Sequence, residues 1–188
     1  TTVRILGYRA SNRNINPRGI SYHPSSQKTL YNICGHRDGV GATECPGTNL
    51  YNQLPAIRNR VYALLNPPVV ANVSADSISD VKATLTGEVN PNDSQTEVFF
   101  QYGVTPQYGN ITIPQILTSG TSFTGITADI QNLTPSTIYN YRMIARNSDT
   151  LVVSENNTFI TLGLPWQVEL VSPADEALLG TDSVLFVW

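Results

Sequence analysis

A histidine and a cysteine nine residues apart, on a glycine-rich loop, are the residues of this chain best suited to chemistry. The run is Cys34-Gly-His-Arg-Asp-Gly-Val-Gly-Ala-Thr-Glu-Cys45-Pro-Gly-Thr48. Imidazole and thiolate both ligate zinc, and glycines let a loop turn two such groups toward one ion. His36 and Cys45 are therefore candidate metal ligands, although a lone pair of these residue types is more often structural. Arg37 and Asp38 read as a loop-fixing pair. Glu44 lies between candidate residues and is left out of the site. Cys34 and Cys45 make an even count that permits a disulfide; Cys34 is read instead as a small buried residue ending a strand. His23 is the only other histidine and reads as a surface loop residue.

The elements that must position this loop are short. Residues 7–27 are rich in Arg, Asn, Ser, Pro and Gly and read mostly as loop. Leu30–Cys34 reads as a short buried strand. Downstream, Leu50, Leu54, Ile57, Val61 and Leu64 recur at helical spacing and make one apolar helix face. Pro55 falls inside that pattern, so a break is expected near Leu54, with a new helix opening at Pro55. Asn66-Pro67-Pro68 marks a seam and an extended linker. After it the period changes to two. Val81–Val89 alternates around Ala83, Leu85 and Gly87, and Glu97–Tyr102 and Ile138–Ala145 are rich in Val, Phe, Tyr and Ile. Turn clusters separate them, among them Asn90-Pro-Asn-Asp-Ser94 and Asn147-Ser-Asp149, a spacing that suggests an all-β sandwich. A second seam lies at Gly163-Leu-Pro165. Ser183–Trp188 then begins another strand pattern, and the chain is expected to continue beyond it. The division is 1–66, 67–163 and 164–188.

Charge divides along the same seam. Residues 1–66 hold eight Lys and Arg against two acids, whereas residues 67–188 hold three against twelve. A sign change this sharp suggests two units with different jobs, the basic one suited to an anionic polymer such as a bacterial wall. The whole chain, 188 residues at a net charge of −3, lacks the basic surplus of a nucleic-acid binder. It also has no uninterrupted apolar run of about 18 residues that would span a membrane as a helix.

Gly35-His36-Arg37-Asp38, Thr43-Glu44-Cys45-Pro46-Gly47, Leu50-Tyr51 and Leu54-Pro55-Ala56-Ile57-Arg58 together resemble the C-terminal part of zinc N-acetylmuramoyl-L-alanine amidases, the group that includes peptidoglycan recognition proteins and phage T7 lysozyme. The resemblance covers about residues 20–62. It implies a truncated α/β amidase portion: a short strand, a Gly-rich zinc loop and a C-terminal helix. It further implies Zn2+ held by His36 and Cys45, with Thr43 donating a hydrogen bond to the developing oxyanion. The spacing departs from the family by one extra residue in Gly39-Val40-Gly41. The family's first zinc histidine and catalytic tyrosine are expected upstream of Thr1.

The second unit carries its own resemblance. Thr86-Gly-Glu-Val-Asn-Pro-Asn92, Phe99-Phe-Gln-Tyr-Gly103 and Leu133-Thr-Pro-Ser-Thr-Ile-Tyr139-Asn-Tyr-Arg142 look like a bacterial fibronectin type III domain. Tyr139 matches its tyrosine corner, where the hydroxyl bonds back to the chain ahead of the strand. Tyr141 alternates with it and is placed on the same face. The expectation is thus a fragment of a secreted or cell-envelope amidase that hydrolyses peptidoglycan, monomeric, with fibronectin-type spacer or adhesion modules. The alternatives are a non-catalytic peptidoglycan-binding or cell-surface adhesion protein, and a purely structural surface protein of repeated sandwiches.

Overall fold

In the first unit the chain buries helix against helix. The computed structural model describes residues 2–164, so the expected start of a further domain lies outside the described residues beyond Leu164. Helix α1 (Thr2–Asn12) turns Val3, Gly7 and Ala10 toward α3 (Thr48–Leu65). Those positions recur at helical spacing and meet Leu54, Ile57 and Val61. A Cβ on Gly7 would lie 2.8 Å from Leu64 Cδ2, so the glycine sets how closely the helices approach. Between the helices run a two-stranded antiparallel ribbon, β1 (Ile20–His23) and β2 (Lys28–Tyr31), and a one-turn helix α2 (His36–Val40).

Several sequence expectations are corrected here. The stretch read as loop over 7–27 begins inside α1 and contains β1. The expected buried strand at Leu30–Cys34 is instead the ribbon strand β2, mostly exposed, and it ends at Tyr31. Cys34 is exposed and free, as is Cys45. His23 lies in β1, paired with Lys28, and not in a loop. Helix α3 does not break at Leu54. It runs through Pro55, because Leu54, Ile57 and Val61 on one face are held against α1 on both sides of the proline. The amidase-like portion expected of residues 1–66 is not what forms: there is a two-helix pair with a small ribbon, and α2 occupies part of the run expected to be a Gly-rich zinc loop.

The second unit is the expected β-sandwich. One sheet is three-stranded, in the order β3 (Val69–Asp76), β4 (Lys82–Asn90), β8 (Thr124–Gln131). The other centres on β5 (Thr96–Gly103) and β9 (Ile138–Arg146). On its edges β6 (Asn110–Ile111) and β7 (Gln115–Leu117) pair with β5, while β10 (Leu151–Val153) and β11 (Asn157–Ile160) pair with β9. All pairings are antiparallel. Strand β4 shows why the period-two pattern was legible, since Ala83, Leu85, Gly87 and Val89 are buried and the residues between them are not. Gly87 leaves room for Met143, whose Cε would lie 2.5 Å from an added Cβ. Phe100, Leu85, Ile126, Met143, Val89 and Val98 are fully buried between the sheets. The corner expected at Tyr139 is present: its hydroxyl accepts a hydrogen bond from the Thr134 N–H at 3.0 Å, and its ring stacks on Phe159. Tyr141 is buried in the same core.

The seam is not an extended spacer. Pro68 is fully buried, and the Pro67 carbonyl accepts a hydrogen bond from Asn92 Nδ2 at 2.6 Å. Arg18 lies over the Tyr62 ring, donates to Asn59 Oδ1, and reaches the sandwich through Asp93 Oδ2 at 2.8 Å. Arg60 of α3 makes a forked contact with Asp149, the closest approach being 2.7 Å, and Asn147 Nδ2 donates to the Ala63 carbonyl. Asp93 and Asp149 sit in two of the turn clusters legible from sequence. Those turns carry the carboxylates that meet the first unit's arginines.

Candidate functional site

The run 34–48 is held by its own polar residues. Gly35 precedes α2, and its N–H donates to Asp38 Oδ2 at 2.8 Å. The other Asp38 oxygen accepts from the Tyr51 hydroxyl at 2.5 Å, which holds that hydroxyl above the ordinary tyrosine range and keeps it protonated. The Arg37 N–H donates to the Cys45 carbonyl at 3.1 Å. Its guanidinium donates to the Glu44 carbonyl, lies 3.3 Å from Glu44 Oε2 and covers the Tyr51 ring. Arg37 and Asp38 thus each fix the loop, through Glu44 and Cys45 in one case and Tyr51 in the other. They do not pair with one another.

The three residues singled out from sequence are placed differently. His36 opens α2 and lines a cavity of about 560 Å³ together with His23, Ser26, Leu30 and Cys34. His23 Nδ1 is tied to Ser26 Oγ at 2.9 Å. Cys45 is exposed and does not line this cavity. Thr43 Oγ1 accepts the Cys45 N–H at 3.2 Å, a local turn contact within the loop. Partial burial, and then the Asp38 carboxylate, push the Cys34 thiol up against the pull of Arg58, so it is a thiol and not a thiolate at neutral pH. Among the described residues no group of three or more His, Cys, Asp and Glu is placed to hold a metal ion. A closed or catalytic zinc shell needs at least three such protein ligands.

Two surfaces escaped the sequence reading. Helix α1 turns Ile5, Tyr8, Arg9 and Asn12 away from α3, with Arg4 at one flank and Arg13 just beyond its end. Ile5 and Tyr8 are 60% and 69% exposed. Among the described residues, no carboxylate pairs with Arg4, Arg9 or Arg13. The signal was the helical recurrence of Val3, Gly7 and Ala10, masked by the Ser, Asn, Pro and Gly that follow it. The second surface is the cleft between the units, which no reading of either unit alone would find. The first unit's remaining arginines are occupied: Arg18 and Arg60 hold the sandwich, Arg37 holds its loop, and Arg58 donates to the Ile33 carbonyl while covering Tyr31.

No protein-family profile matches the chain, and no curated protein does. Among solved structures, it is similar to the sensor domain of the anti-sigma factor RsgI4 from Pseudobacteroides cellulosolvens. The identity is 24%, over 53% of this chain and 99% of that one, with a TM-score of 0.42. It is also similar to the sixth fibronectin type III domain of the human fibronectin type III domain containing protein 3. There the identity is 20%, over 53% of this chain and 89% of that one, with a TM-score of 0.39. Because residues 1–66 form a helix pair with a small ribbon, and no three-donor group is placed for a metal among the described residues, the amidase resemblance is corrected. What the chain folds into is a fibronectin type III-like β-sandwich with a small helical unit docked on it.

Proposed function

We propose that this chain is a non-catalytic binding module of a secreted or cell-envelope protein, in which the first unit grips an anionic wall polymer such as peptidoglycan and the sandwich supports it. The observation that carries this reading is the outward face of α1. Arg4, Arg9 and Arg13 surround an exposed Tyr8 and have no carboxylate partner among the described residues. Five of the first unit's eight cations hold the structure together, Lys28 through the Asp38 carbonyl and Arg18, Arg37, Arg58 and Arg60 through the contacts above; these three do not. Unpaired arginines fit carboxylates and phosphates in a forked geometry, and a neighbouring aromatic ring covers the apolar face of a sugar. The sandwich is acidic in net, so charge directs the polymer to the helical side.

The test is co-sedimentation with purified peptidoglycan sacculi. The chain is expected to pellet with sacculi at low salt and to be released as salt rises, since the contact is screened. The triple variant Arg4→Gln, Arg9→Gln, Arg13→Gln should keep the wild-type melting temperature and lose about tenfold or more in binding. Equal sedimentation of the triple variant would refute the assignment of this face.

A further inference from the structure

The cleft between the two units is a second place where a ligand fits. It encloses about 690 Å³ and has walls from α3, the Arg18 loop and strands β5, β7 and β9. That volume suits one or two sugar rings. Its polar lining is rich in donors that the protein leaves free. Arg18 uses Nε and Nη1, and Arg146 uses Nε on Glu97, so neither Arg18 Nη2 nor the two terminal nitrogens of Arg146 has a partner among the described residues. The amides of Asn59 Nδ2 and Gln95 are free in the same sense. Against these donors, Glu97 offers the one carboxylate in the lining, and it is already engaged by Arg146. Ser94 lies in the wall, 6% exposed, with a hydroxyl that no described group satisfies. Ala63 and Ile116 supply a small apolar wall.

We infer that this cleft binds a carboxylate-bearing saccharide. The carboxylate takes the free nitrogens of Arg146 and Arg18 in charge-assisted hydrogen bonds, the ring hydroxyls take Asn59 and Gln95, and the C–H face of the ring rests on Ile116. A neutral sugar would leave the guanidinium donors unmatched. A simple anion would leave the amides and the apolar wall unused. Carboxylated sugars reach a cell envelope either as muramic acid, with its lactyl ether, or as uronic acids, and the same donors recognise both. The inference does not depend on the polymer contact at α1, because it is tested with small soluble probes.

The experiment is a titration of the 15N-labelled chain, followed by its backbone amide resonances, with N-acetylmuramic acid, glucuronic acid and uncharged N-acetylglucosamine. At least one acid is expected to shift Ser94, Gln95, Asn147 and Ser148 with a millimolar dissociation constant, and N-acetylglucosamine to bind about tenfold more weakly. Whichever acid binds names the source, and binding of both upholds the shared chemistry. Gln95→Ala, an exposed side chain without a partner among the described residues, should keep the fold and weaken binding about fivefold. Arg146→Lys keeps the charge, loses the fork and should weaken it about tenfold. Absence of shifts at these amides with either acid, an equal response to all three sugars, or unchanged affinity in both variants would overturn the inference, whatever the sacculus assay shows.

Discussion

Tyr139 shows how one side chain ties two structural levels together. Its ring belongs to the core between the sheets, against Phe159, while its hydroxyl accepts the Thr134 N–H and so fixes the turn that feeds β9. Tyr139→Phe keeps the ring and leaves a partly buried N–H without its acceptor. The expected cost is about 1 kcal/mol, read as a lower urea midpoint with an unchanged slope. An unchanged midpoint would mean that water replaces the hydroxyl at no cost. This residue was legible because the run Leu133–Arg142 resembles the fibronectin type III segment that carries the tyrosine corner. Arg18 was not. Nothing in its neighbourhood of Asn, Pro and Gly indicates that it reaches Asp93, a partner 75 positions away. His36, Thr43 and Cys45 show the converse. Residue types with metal-binding or catalytic chemistry were visible, but type and spacing do not say where side chains end up, and only His36 of the three lines the loop cavity.

Among the elements, strands were more legible than helices for a physical reason. A sandwich strand such as β4 faces core and solvent alternately, so its burial is written directly as period two. Helix α1 buries only Val3, Gly7 and Ala10, two of them small, and runs at its end into Ser11 and Asn12, which favour turns. Its apolar stripe is narrow, and packing on α3 holds it in place. Helix α3 gave the reverse difficulty, because Pro55 signals a break that the tertiary contacts override. The proline has no N–H for the Tyr51 carbonyl, and its ring crowds the preceding turn. Pro55→Ala restores that bond without touching Leu54 or Ile57. It should raise the stability of the helical unit by about 1–3 kcal/mol, less the entropy returned to the unfolded chain. Calorimetry and amide exchange across residues 51–55 would check it. A loss of stability would show that the proline fits a bend that α3 requires.

At the scale of the whole molecule, the charge asymmetry of the sequence has two destinations. Part of it faces outward on α1, and part is spent inside, where Arg18 and Arg60 meet Asp93 and Asp149 across the seam. Asp149 is the better reporter of this docking, because its side chain is only 8% exposed. Burial alone would raise its carboxyl. The hydrogen bonds from Arg60 and Ser148 and the Arg60 charge outweigh that and leave it below the ordinary carboxylate range. A folded value below the unfolded one means that the contribution is complete above the ordinary Asp range, near pH 4, and disappears as pH falls through the lowered value. Since Arg60 is half exposed, solvent screens the pair, and its coupling should be about 1 kcal/mol. A double-mutant cycle with Arg60→Gln and Asp149→Asn should return that value at neutral pH and nearly zero in acid, below the folded value. Reversing both bridges with Arg18→Glu and Arg60→Glu places like charges at the two contacts. Residual dipolar couplings should then require separate alignment tensors for the helical unit and the sandwich, where the wild type needs one. A single tensor in the reversed variant would show that the Asn92 and Asn147 contacts and the buried Pro68 hold the units together without the ion pairs. The charge split would then serve the outward face alone.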